Sequence, residues 1–126
     1  MGKNFLIDTN ILLEYLSSLL PTKASNYVEN IINDNFNISI INRIEILGHN
    51  SSDVKQETFL NLANTFQLTK DVEIQTIEIR KSHKIKLPDA IIAATALVHD
   101  FTIVTRNIKD FEKIEGLLCI NPYIIE

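Results

Sequence analysis

The chain has 126 residues, 45% of them hydrophobic, with only three glycines and three prolines, so a buried core is available and a disordered or low-complexity chain is excluded. The single cysteine, Cys119, excludes an internal disulfide and a cysteine-built zinc site. A formal charge of −4 weighs against a generic nucleic-acid binder, which needs excess lysine and arginine. An enzyme that gathers carboxylates around a metal is acidic for a different reason, because the metal then supplies the positive charge that faces phosphate.

Phe5-Leu6-Ile7 is a short apolar run closed by Asp8-Thr9-Asn10, and a helical pattern follows at Ile11, Leu12, Tyr15, Leu16 and Leu19. Because Asp8 interrupts that run, no signal peptide is expected. No apolar stretch approaches the ~20 residues that span a bilayer, so the reading is of a cytoplasmic protein. Pro21-Thr22 breaks the first helix, predicted over Asn10–Leu20, and a second is predicted from Lys23 to Asn33. Phe36–Ile41 reads as a strand, with Asn42 as the N-cap of a helix that carries Glu45 and closes at Gly48. Ser51-Ser52-Asp53 caps a further helix whose inward residues are Phe59, Leu60, Leu62, Ala63 and Phe66, and a very short strand is placed at Phe66–Leu68.

Val72 to His83 is read as helix from its charged residues despite loosely alternating isoleucines. Pro88 fits the first position of the next helix, where its missing N–H would be unpaired anyway, and Ala90–Val98 makes that helix buried. Phe101–Thr105 is a strand and Leu117–Ile120 another, with Cys119 a small buried hydrophobe. Strands alternating with helices predict a single α/β domain over residues 1–126, with a short, mainly parallel central sheet. Ligands of such sheets bind beyond the carboxyl ends of the strands, which brings Asp8 and the Thr105–Asp110 turn under suspicion together.

Four carboxylates stand in unusual local contexts: Asp8 closes a strand, Glu45 is flanked by Ile44, Ile46 and Leu47, Asp89 opens the most apolar helix, and Asp110 follows a strand. Each has a structural explanation taken singly. Asp8 suits a helix cap, Asp89 the positive end of a helix dipole, Glu45 an exposed helix face, and Asp110 an ordinary turn. Together, converging carboxylates would repel one another and call for a metal, and hard oxygen ligands select magnesium or manganese over zinc. His49, His83 and His99 lack metal-ligand spacing.

The segments "FLIDTNILLEYL", "ISIINRIEILGHN", "KLPDAIIAATAL" and "TIVTRNIKDFEKI", in this order, resemble the PIN-domain family, and within it the VapC-type toxins. The similarity runs from Phe5 to about Ile114, and "DTN" and "PDAIIAA" are its strongest parts. It implies an α/β/α sandwich whose acidic residues Asp8, Glu45 and Asp89 hold Mg2+ or Mn2+, with Asn10 positioning the metal or its water. Where the family often has a further acid, this chain has Asn107, a neutral and weaker metal ligand; Asp110 could compensate, or Asn107 could bind only through water.

The implied activity is metal-dependent endoribonuclease action, as the toxin of a type II toxin–antitoxin pair. RNA would be the substrate, a cognate antitoxin the partner, and a homodimer built on the first two helices the assembly. Arg106 and Lys109, in the turn with Asn107 and Asp110, are the leading RNA-binding candidates among Lys23, Arg43, Arg80, Lys81, Lys84 and Lys86. The competing reading is a catalytically weakened PIN domain that acts as a protein- or RNA-binding module. A haloacid-dehalogenase-type phosphatase would want a second Asp where Asn10 stands. A response-regulator receiver would need an acidic pair after the first strand.

Overall fold

The computed structural model describes residues 4–125. Strand β1 (Phe5–Ile7) passes through Asp8 alone into α1 (Thr9–Leu16), and α2 (Thr22–Asp34) leads to β2 (Asn37–Ser39). Then come α3 (Ile40–Leu47), α4 (Val54–Leu60), β3 (Asn64–Phe66), α5 (Lys70–Ser82) and α6 (Leu87–His99). Strand β4 (Thr102–Val104), α7 (Ile108–Phe111), β5 (Leu118–Ile120) and a 3-10 turn at Pro122–Ile124 complete the order.

All strand pairing is parallel, as expected, but it is divided between two sheets. One has the order β1-β4-β5, with Ile7 opposite Val104 and Val104 opposite Ile120; the other pairs β2 with β3. The Asn37 side chain bridges them by donating to the Phe5 carbonyl at 3.1 Å. Because successive side chains of a strand point to opposite faces, neighbouring residues feed two different cores. Leu6 and Ile103 pack with α5 and α6, whereas Ile7 and Val104 pack with residues of α1, α2 and α3. The result is the helix–sheet–helix layering that the sequence predicts. Helix α6 is buried from Ala90 to Ala96, since small alanines let it lie close against both the sheet and α5.

Several boundaries differ from expectation for local reasons. Helix α1 stops at Leu16 because Ser18 takes a left-handed conformation (φ 58), which leaves Leu19 exposed and buries Leu20. Ile40 and Ile41 belong to α3 rather than β2, because Ser39 is the N-cap and Asn42 completes a capping box from the third helical position. Helix α4 ends at Leu60, so Leu62 faces solvent, and β3 lies at Asn64–Phe66 instead of Phe66–Leu68. Helix α6 begins at Leu87, one residue before Pro88. Cys119 is half-buried, and burial pushes its thiol up to about 11. Among the described residues no helix is long and apolar enough to cross a membrane.

Candidate active site

The parallel topology puts the residues that follow β1 and β4 side by side. Asp8 is 6% exposed, and its carboxylate is held by three donors. Oδ1 accepts from the Thr9 N–H at 2.9 Å and from Asn42 Nδ2 at 3.4 Å, while Oδ2 accepts from Thr105 Oγ1 at 2.8 Å. Burial pushes its carboxyl above the usual range and the nearby Glu45 adds to this; the bonds from Thr105, Thr9 and Asn42 act against it. The Asp8 N–H itself donates to the Val104 carbonyl at 2.9 Å, so backbone and side chain are fixed together. Asp8 therefore caps α1 as expected of a lone Asp, and it also faces other acids.

Glu45, exposed on α3, reaches the same edge. Thr9 Oγ1 donates to Glu45 Oε1 at 2.6 Å and in turn accepts from Asn42 Nδ2 at 3.0 Å. Asn42 Oδ1 accepts from the Ser39 N–H at 2.8 Å, so one fully buried amide ties Asp8, Thr9 and the start of α3 together. Asp89, half-buried in the first turn of α6, has its carboxyl pushed up to about 6. Burial is the largest cause, followed by the charges of Asp8, Asp110 and Glu45, while Lys86 pulls the other way. Asp89 thus feels the charges of the other three suspected carboxylates, and Asp8 feels that of Glu45.

The other expected residues lie around this group. Asn10 Oδ1 accepts from the Arg106 N–H at 3.3 Å, which pins the β4–α7 turn to α1. The Asn107 N–H donates to Thr105 Oγ1 at 3.0 Å, and Asn107 lines a hollow with Arg106, Lys109 and Asp110 to which Asp89 does not contribute. The Arg106 guanidinium does not face the acids. Nη1 is 2.7 Å from Glu14 Oε2, Cζ lies 4.5 Å above the Tyr123 ring centroid, and the Tyr123 hydroxyl donates to Glu14 Oε1 at 3.0 Å. Arg43 donates to Asn61 Oδ1 at 2.9 Å. Lys109, by contrast, shares a cleft with Asp89 and Asp110.

Asn42, Thr9 and Glu14 were not identified from sequence as parts of this neighbourhood, whereas the turn that begins at Thr105 was. Thr105 stands one residue beyond Val104 just as Asp8 stands one beyond Ile7, so strand ends alone pointed to it. Asn42 lies one helical turn before Glu45, on the same face of α3. Of the histidines, His99 is packed between the Phe66 and Phe101 rings and His49 is bonded to Ser51. His83 links two elements, with Nδ1 3.2 Å from the Ile79 carbonyl and Nε2 3.2 Å from the Lys113 carbonyl. Carbonyls only accept, so a neutral ring satisfies one of them and the protonated ring both.

Among the described residues, no three His, Cys, Asp or Glu side chains form a ready-made chelate. The donor set nonetheless fits a hard dication that keeps much of its water. Magnesium is typically held by only one or two carboxylates, with waters in its remaining positions. Asp8, Glu45, Asp89 and Asp110 offer oxygen donors alone, and among the described residues none of the four is in an ion pair.

Residues 5–117 match the family model of the PIN domain. The chain is 33% identical to a chain of a toxin–antitoxin complex from Klebsiella pneumoniae, with a TM-score of 0.75 over 97% of this chain and 100% of that one. It is 25% identical to a chain of VapBC2 from Rickettsia felis bound to a DNA fragment from their promoter, with a TM-score of 0.76 over 93% and 97% of the two chains. To a chain of FitAcB from Neisseria gonorrhoeae the likeness is one of fold, at 23% identity and a TM-score of 0.80 over 96% and 99%. No curated protein sequence matches significantly. The extent of the family match, and a relative a third identical over its whole length, mean that this chain belongs to the PIN domain family.

Proposed function

We propose that this PIN domain is a metal-dependent endoribonuclease that hydrolyses RNA phosphodiester bonds, and that it is the toxin of a type II toxin–antitoxin pair. The observation that carries the reading is Asp89, whose carboxyl is driven up to about 6 by burial and by Asp8, Asp110 and Glu45. Repulsion of that kind, which Lys86 offsets only in part, is what a bound dication would relieve.

Asp8, Glu45 and Asp89 hold Mg2+ or Mn2+ in this proposal, with Asp110 beside them and Asn107 contributing at most through water. The ion supplies a water of lowered pKa and positive charge opposite the non-bridging phosphate oxygens. Asp8 serves as the fixed point, because Thr9, Asn42 and Thr105 leave its carboxylate little freedom. Glu45 is steered by the Thr9 hydroxyl and, with Asp89, orients the attacking water. Asn10 serves by holding the β4–α7 turn in register with α1.

The complexes from Klebsiella pneumoniae and Rickettsia felis support an antitoxin partner, whose basic or apolar segment would cover the acidic edge. A homodimer in the cytoplasm, where RNA is met, completes the proposal. The neutral Asn107 and the acidic balance favour one other reading, a PIN domain that binds without cleaving.

Cleavage of a mixed tRNA and structured-RNA pool with manganese or magnesium separates the two, comparing wild type, Asp8→Asn and an EDTA control. Cleavage that needs metal and Asp8 is the expected result. Neither cleavage nor metal-dependent thermal stabilisation in the wild type would point to the binding module.

A further inference from the structure

The chain is acidic overall, yet four of its twelve lysine and arginine residues, Lys84, Lys86, Lys109 and Lys113, line a single cleft. It has a volume of about 330 Å3 and lies between the α5–α6 turn and α7, with Asp89 and Asp110 in its wall. Among the described residues none of these lysines is in an ion pair, whereas Arg106 on the other flank is already taken by Glu14. The cations free to meet a phosphate therefore lie on the Asp89 side of the carboxylates. Ile85 and Ile114 supply an apolar floor, and the His83 ring, with Nε2 3.2 Å from the Lys113 carbonyl, joins the two walls.

We propose that this cleft is a nucleotide subsite, taking one unpaired nucleotide of an RNA strand next to the bond that is cleaved. The identity of the substrate rests on the ribonuclease reading; the cleft and its charge do not. Its volume is at the lower end of ligand pockets, roughly 300 Å3, which matches a single nucleotide and not a base pair. Phosphate oxygens meet the lysine ammonium groups, and the base or sugar lies against Ile85 and Ile114. The His83 imidazole is the one aromatic ring in the lining among the described residues, against four lysines, so binding comes chiefly from phosphate and varies strongly with salt. A strand anchored there runs past Asp89 toward Asp8 instead of crossing Arg106.

The test is fluorescence anisotropy of a labelled RNA dodecamer, single-stranded or annealed to its complement, over a salt series. Wild type is compared with the double variant Lys84→Ala/Lys113→Ala, which leaves the carboxylates and their neighbours Lys86 and Lys109 in place. Tighter binding of the single strand is expected. The variant should weaken it at least tenfold and lower the slope of log affinity against log salt by about 1.4, at ~0.7 per phosphate contact. Its melting temperature and its stabilisation by manganese should stay at wild-type values, which shows fold and metal site intact. Equal binding of single strand and duplex, an unchanged salt slope, or no RNA binding by the wild type would each overturn the subsite. If cleavage depends on Asp8 while the double variant binds like wild type, the subsite fails and the nuclease reading stands. If the variant loses binding while the wild type cleaves nothing, the reverse holds.

Discussion

Two junctions of the molecule are built alike and behave differently. At both β1–α1 and β4–α7 a three-residue parallel strand ends at the same sheet edge and turns into a helix. At the first, Asp8 alone makes the turn, buried, with both carboxylate oxygens hydrogen-bonded. At the second, Thr105, Arg106 and Asn107 make a longer turn into a one-turn helix, and Arg106, Asn107, Lys109 and Asp110 are all exposed. The first junction holds one carboxylate by three hydrogen bonds and has little else to offer. The second presents several groups that can adjust to what arrives. Thr105 joins them, because its hydroxyl donates to Asp8 while accepting from Asn107.

Neutralising the rigid junction should have the largest effect. Asp8→Asn keeps the shape and removes the charge, so the proposed cleavage should fall by more than ~10²-fold, beyond what loss of a supporting group around a metal ligand costs. Chemical denaturation should find that variant folded. Cutting the link comes next. Thr105→Val deletes a hydrogen bond to a buried carboxylate and should lower stability by about 1–3 kcal/mol in urea titrations, with activity down about tenfold or more. No change in either would mean that Asp8 does not need its second junction.

The third effect is on pH dependence. The Asp89 carboxyl is raised from 3.8 to about 6 in the folded chain, so the native state holds this proton more tightly than the unfolded one. Its contribution is then fully present at low pH and is lost as pH rises through 6. Melting temperatures of metal-free protein should therefore drop between pH 4 and 7 less steeply in Asp89→Asn than in wild type, and manganese should flatten the wild-type drop. Parallel pH profiles would show that the carboxylates are not coupled. The smallest effect belongs to the adaptable junction. Asp110→Asn, exposed at its edge, should change cleavage only a few-fold, and a loss as deep as that of Asp8→Asn would erase the contrast between the two.

Features set by short-range chemistry were legible in the sequence. The run Phe5–Ile7 followed by Asp8, and the alanine-rich helix opened by Pro88-Asp89, announced their elements and the acids they carry. What a single residue decides against the local pattern was not legible. Ile40 and Ile41 have the branched side chains of a strand, but the reciprocal bonds of Ser39 and Asn42 start a helix there. Helix α1 is cut short by the backbone of Ser18 even though Leu19 and Leu20 continue its hydrophobic pattern. In the candidate site, the four acids were singled out from the sequence, and the bonds that support Asp8 were not. Asn42 and Thr105 reach Asp8 across 34 and 97 residues of chain, distances that only the topology closes. The same holds for the lysine cleft, which is assembled from the α5–α6 turn and α7. Arg106 was expected to face RNA because of its neighbours in sequence, yet Glu14 and Tyr123 hold its guanidinium.

The backbone bond from Asp8 to Val104, and the matching one from Thr105 to Ile120 at 2.9 Å, extend the ladder of the central sheet by one rung at the carboxylate edge. These two amides should exchange their hydrogens with solvent only when the whole sheet opens, like those of the buried core. The carboxylate that anchors the site would then appear in the same cooperative step as the fold, and a chain that has lost its sheet would have no partly formed site left behind.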